Sequence, residues 1–255
     1  MSSDATLAEV CVVACAEAWR GDGEILASPI GTIPTIGVRL AALTFEPDLV
    51  YTDGDAIVLG APLPVGAPPE AARIVEGWLP FGHMFDIVWS GKRHVMMGAT
   101  QIDRFGNQNI ACIGPWARPK AQLLGVRGAP GNTVNHPTSY WVPQHSTRVF
   151  VEPVDCVSGV GYDRAAAAGP TASEFHEIRR VVSNLAVLDF ETPDHAMRLR
   201  SVHPGVSVDK VVESTGFPLV VPDDVPETRA PTDDDLTLIR DLIDPNGLRN
   251  AEVPS

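Results

Sequence analysis

The segment from Glu24 to Thr52, "EILASPIGTIPTIGVRLAALTFEPDLVYT", restricts the fold more than any other part of the chain. "EILAS" reads as a short strand. In "GTIPTIGVRLAALTF" Gly31 or Thr32 can cap a helix, Pro34 suits its first turn, and Ile36, Leu40 and Leu43 share one face. Pro47 ends that helix, and "DLVYT" reads as a second buried strand. Strand, helix and strand within about 30 residues form a βαβ unit, which implies a parallel sheet and a right-handed crossover.

The remaining periodicity fits the same class. Leu7, Val10, Ala14 and Ala18 mark one face of an opening helix that "RGDGE" stops. "HVMMGATQI", "TRVFVEPVDCV" and "RVVSNLAVLDF" read as apolar strands bounded by turn residues, and "MRLRSVHPG" alternates as a half-exposed strand would. Two short helices close the chain, one capped by Ser207 and ended at Gly216, the other capped by Thr232 and stopped by Pro245. The expectation is one α/β domain over residues 1–255, with an open, mostly parallel sheet, flanking helices and long loops that absorb much of the 22 Gly and 23 Pro.

Composition excludes several functions. A net charge of −13 argues against a nucleic-acid backbone or an anionic membrane as partner. Residues 222–255 carry nine acidic side chains and three Arg, which reads as an acidic, Pro-rich, solvated arm able to wrap a neighbouring subunit. No apolar run approaches the roughly 18 residues of a membrane span. "MSSDATLAEV" offers no basic region ahead of an apolar one, so a cytoplasmic location is expected. Cys11, Cys15, Cys112 and Cys156 form no C-x-x-C pair and read as buried, reduced thiols.

Motifs of several enzyme classes are missing: there is no G-x-S-x-G elbow, H-E-x-x-H pair or Walker A loop. "GVGYDR" at Gly159–Arg164 lacks the third glycine of a dinucleotide loop and no clear helix follows it, so a turn needing positive φ is expected there. The seven histidines show no tight ligand spacing, and no metal is expected. His83 and His136 lie in polar, aromatic loops where a site residue is plausible. "GATQIDRFGNQN" runs from a strand into a polar segment with Gln101, Asp103, Asn107 and Asn109, whose side chains must bond either local backbone or a ligand. "RGAPGNTVN" is a second Gly-rich loop, with Gly128, Gly131 and Asn132, in which backbone N–H groups could converge on an oxyanion. Lys92, Arg93, Arg118 and Lys120 are cations that could meet phosphates or balance local carboxylates.

Taken in order, "GTIP" leading to "LAALTFEPDLVYTDG", "GATQIDRFGNQN", "TRVFVEPVDCVSGVGY" and "HPGVSVDKVVESTGFPL" ahead of the acidic tail resemble the β subunits of family I CoA transferases. Among these, the likeness is greatest to the ring-cleaving hydrolase type of steroid-degrading bacteria. The resemblance covers nearly the whole chain. It implies an α–β pair, often doubled to α2β2, and an acyl-CoA substrate that brings coenzyme A as its thioester, with no resident cofactor. In family transferases a β-subunit glutamate, followed by a small residue and glycine, attacks the acyl-CoA carbonyl. Aligning Gly54 with that glycine puts Thr52 in the glutamate slot and Asp53 in that of the small residue.

A threonine cannot carry the covalent relay. The resemblance therefore implies a hydrolytic, retro-Claisen C–C cleavage of a cyclic keto-acyl-CoA. Thr52 and Asp53 are the catalytic candidates, and the general base is expected on the α subunit. Gly54, Gly98, Ala99, Gln101, Asn107, Gly128, Gly131 and Asn132 are expected around substrate and CoA. The rivals are a transferase that uses Asp53 and a non-catalytic subunit that stabilises its α partner.

Overall fold

The computed structural model describes residues 5–52 and 56–254. The chain divides into two compact units: residues 1–96 with 229–255, and residues 97–228.

The first unit opens with α1 (Leu7–Glu17), which is apolar apart from Glu9 and Glu17 and buried along nearly its whole length. Its start is a reciprocal cap: Thr6 Oγ1 accepts from the Glu9 amide while Thr6 N–H donates to Glu9 Oε2 at 2.8 Å. The expected strand follows as β1 (Leu26–Pro29), and the expected helix as α2 (Thr32–Thr44), with Gly31 at the cap. The second arm of the βαβ unit is extended and held by single bridges. Val50 pairs in parallel with Leu26, and Thr52 pairs antiparallel with Val58. β2 (Ile57–Leu59) and β3 (Val75–Trp78) form an antiparallel hairpin, and α3 (His83–Ser90) precedes β4 (Arg93–Gly98), whose Arg93–Met96 run parallel to β1. None of the α3 residues is buried, and Phe81, Phe85 and Trp89 are more than half exposed.

The second unit has two short antiparallel pairs, β5 (Gln101–Ile102) with β6 (Gln108–Asn109) and β7 (Cys112–Ile113) with β8 (Ala121–Gln122). After α4 (Ala129–Asn135), β9 (Thr138–Val142) runs parallel to β10 (Ile178–Ser183), with α5 (Tyr162–Ala168) and α6 (Pro170–Ser173) in the crossover. β11 (Ala186–Asp189) and β12 (Arg198–Val202) add antiparallel strands, and α7 (Val208–Glu213) is capped by Ser207 as expected.

Three expectations change here. "RVVSNLAVLDF" is two strands, because Ser183 Oγ accepts from the amides of Leu185 and Ala186 and so makes a tight turn of Asn184-Leu185. "TRVFVEPVDCV" is a loop with a single bridge, Phe150 to Ile102; Phe150 is fixed by stacking on His145 at 3.8 Å. "TSYWV", which continues the loop expected around His136, is instead the fully buried β9.

The acidic arm is not simply solvated. α8 (Asp233–Thr237), capped by Thr232, leads into a π-helical turn, Leu238–Ile243, and α9 (Arg249–Glu252), all belonging to the first unit. Arg240 and Arg249 reach the buried Glu9 at 2.8 and 3.0 Å, and Arg249 also pairs with Asp244 at 2.8 Å. Glu252 accepts the amides of Thr32 and Ile33 at 2.7 and 3.2 Å, so a residue near the chain end caps α2. Of the thiols, Cys11, Cys15 and Cys112 are buried while Cys156 is only half-buried. Among the described residues no helix is long and apolar enough to cross a membrane.

Candidate functional site

In the first unit the site candidate is the end of the extended segment 48–52. Alternation sends Tyr51 to one face and Val50 and Thr52 to the other. Tyr51 is buried, and burial pushes its phenol up to about 12 although the charge of Arg39 on α2 opposes this. Thr52 is half-buried, directly across the bridge from Val58. Asp53, Gly54 and Asp55 lie outside the described residues.

The other expected residues belong to the second unit. Gln101 and Asn107 hold its polar loop together. Gln101 donates to Asp155 Oδ2 at 3.0 Å and accepts from Asn109 at 2.7 Å and from the Asp155 amide at 3.0 Å. Asn107 donates to Asp103 and Asp163 and accepts the Gly161 amide at 2.7 Å. Burial raises the Asp103 carboxyl above its ordinary range, against the opposing hydrogen bonds from Asn107 and Phe105. These amides are spent on the protein itself, the structural alternative that their density had left open.

The glycines of "GVGYDR" have another role than positive φ. Gly161 has φ −93°, and a Cβ there would collide with Phe105 O and Asn107 N, so glycine permits a close approach of two loops. A helix, α5, does follow, but the loop before it is packed on the 105–107 backbone.

Residues 128–135 are likewise not a loop. Gly128 caps α4, Gly131 sits in its first turn, and the Asn132 N–H donates to Gly128 O at 3.0 Å. The Asn132 amide proton is therefore committed to the helix. Its side chain, buried, donates to Met97 Sδ at 3.3 Å. His136 is buried with Nδ1 on the Pro137 carbonyl, whereas His83 is exposed at the start of α3. Burial pulls the Arg93 guanidinium down to about 10 and its Nε donates to Ser28, which takes it from the cations suited to a phosphate.

One residue escaped the sequence reasoning. Gln108 donates through Nε2 to the Gly98 carbonyl at 2.5 Å, while its Oε1 is buried with no hydrogen-bond partner among the described residues. The Tyr140 hydroxyl is in the same condition, and both oxygens lie beside Gly159. Its place within "GNQN" was the available signal, hidden by its neighbours Asn107 and Asn109. Among the described residues, no three His, Cys, Asp or Glu are grouped so as to hold a metal ion.

Comparison with known proteins places this geometry. The family model described as Coenzyme A transferase matches residues 82–214. The chain belongs to the coenzyme A transferase family. Within that family it is 53% identical over 251 residues to the cholesterol ring-cleaving hydrolase IpdB subunit of Rhodococcus jostii (strain RHA1), covering 98% of this chain and 97% of that protein. The crystal structure of Rhodococcus jostii RHA1 IpdAB superimposes with a TM-score of 0.94 and 52% identity over 99% of this chain and 100% of that one. Glutaconate coenzyme A-transferase from Acidaminococcus fermentans shares the fold, with a TM-score of 0.81 and 24% identity over 99% of each chain. The chain is thus mixed α/β on a mainly parallel sheet, as the βαβ segment required.

Proposed function

We propose that this chain is the β subunit of a heteromeric acyl-CoA hydrolase of cholesterol catabolism, which opens a steroid-derived cyclic keto-acyl-CoA by hydrolytic C–C cleavage. The observation that carries this is identity above 50% over nearly the full length of IpdB, together with a threonine where a transferase needs its glutamate. The assembly is an α2β2 heterotetramer in the cytoplasm, and coenzyme A enters as part of the substrate, with no resident cofactor.

Water oxygen bonds to the ring carbonyl carbon. The C–C bond to the neighbouring carbon then breaks, its electron pair leaves as an enolate, and a proton from the water ends on that carbon. The ketone becomes a carboxylate. Enolate charge needs preorganised donors, a task for backbone N–H groups of Gly98-Ala99 and Gly128-Gly131. Thr52 orients the water or the ketone, Asp53 and Gly54 follow it in sequence as the further catalytic and substrate-binding candidates, and the α subunit supplies the base. Gln101, Asn107 and Asn132 contribute by fixing the loops around the substrate.

The test is to co-express the chain with its α subunit and incubate the complex with cyclic keto-acyl-CoA esters, following products by mass spectrometry. A product with one added water is expected. CoA moved onto added acids instead, with a borohydride-trapped Asp53, would establish the transferase reading.

A further inference from the structure

Within the first unit, a cavity of about 640 Å³ is lined by Val50 and Val58, two residues whose side chains share a face with that of Thr52 although Thr52 itself does not line it. Leu26, Val50, Val58, Leu79 and Ile87 form its walls. Val50 and Thr52 share that face by alternation, and Val58 shares it as the residue directly opposite Thr52. Gly77 lies opposite Val58 on β3, where a Cβ would meet only the Val58 side chain, at 3.9 Å. Gly77 does not line the cavity, and it places no side chain against Val58, which does.

The volume falls within the roughly 300–1,000 Å³ of small-molecule sites. Val50 precedes Thr52 by two residues, about 7 Å along an extended chain. A ring ketone held beside Thr52 would lay the adjoining apolar carbocycle of the acyl group against Val50 and Val58. The charges favour that end of the substrate. The acidic Asp22 and Glu24 offset Lys92 at the cavity, so a nucleotide diphosphate finds no net positive field there. Asp22 is already occupied by His94 Nδ1 at 2.7 Å.

The geometry points to this cavity as the subsite for the apolar carbocyclic part of the acyl group, with Val58 and Gly77 as specificity-determining residues. The inference rests on the hydrolase reading for its substrate class. Its test uses the purified complex with the α subunit and two probes, CoA and cyclohexanecarboxyl-CoA, which has no ring ketone and is not cleaved. Calorimetry should show the cycloalkyl thioester binding at least tenfold more tightly than CoA. Val58→Phe, and independently Gly77→Val, should cut that preference below threefold while leaving CoA affinity unchanged.

Equal affinity of the wild-type complex for both probes would overturn the subsite, as would a preference untouched by either substitution. If either substitution instead weakened α–β association in sedimentation, the cavity would belong to the partner subunit and the inference would also fail. Hydrolysis of the keto-ester without any ring preference defeats the subsite but leaves the function standing. Ring preference without hydrolysis does the reverse.

Discussion

Replacing Glu9 by Gln tests whether the chain's last turn is anchored by charge. Burial alone would raise the Glu9 carboxyl; hydrogen bonds from Arg240 and Thr6 and the charge of Arg249 overcome it and hold the group at about 2, against 4.5. At about 1.4 kcal/mol per pH unit, that difference is worth about 3 kcal/mol of stability. The same order, roughly 3–5 kcal/mol, is typical for breaking a buried ion pair. The sign follows from the depressed carboxyl: the stabilisation is complete above pH 4.5 and is lost as pH falls towards 2. Thermal melting of the complex at pH 7 should therefore drop by roughly 6–12 °C in Glu9→Gln. The variant should also lose part of the acid sensitivity of the wild type, and trypsin should gain access to Arg240 and Arg249. A drop below about 2 °C, or an unchanged acid profile, would refute the reasoning.

Other outcomes follow from the second unit and from the site. His145 bonds Ser183 and Thr215, His203 bonds the Ser183 carbonyl and Thr228, and burial depresses them to about 3 and about 4. Stability should fall by about 1.4 kcal/mol per pH unit for each as pH drops below 6.5, and His203→Gln should remove one share of that slope in urea titrations between pH 7 and 5. Gly161→Ala needs no positive φ, so its cost is the steric clash with Phe105 and Asn107, about 1–3 kcal/mol in the urea midpoint. Thr52→Ala should lower kcat at least tenfold, about 1.4 kcal/mol, without changing the melting temperature by more than a degree or two; effects below threefold on both kcat and KM for Thr52, Asp53 and Asn132, each replaced separately, would make this chain a stabilising subunit.

Local signals in the sequence were reliable wherever chemistry is local. The caps at Ser207 and Thr232 each occupy the position their spacing implied, because a side-chain oxygen three residues from an amide decides the matter on its own. The βαβ segment was legible for a similar reason: Pro34, Pro47 and the apolar spacing leave few alternatives. What failed depends on contacts distant in sequence. Nothing near Phe150 announces that it will meet Ile102, 48 positions away, through a single bridge and not a ladder, and Gly161 looks like any turn glycine until the 105–107 loop lies against it. In the site, Asn132 read as a loop donor because "GAPGN" is rich in breakers, yet Pro130 stands early in a short helix where proline is tolerated. Gln108 could not be separated from its neighbours, since only its pairing to Gly98 distinguishes it.

The cap that Glu252 places on α2 carries a cost in time. Its hydrogen bonds join residues 220 and 219 positions apart, and the Arg249–Glu9 pair spans 240. α1 and α2 are made before these partners, so their buried carboxylate and helix start are completed only 240 and 220 residues later. The second unit is continuous in the chain and can mature in the interval. Until Arg240 and Arg249 are made, Glu9 has neither of its arginines, so α1 gains its buried ion pairs only when the π-helical turn and α9 form.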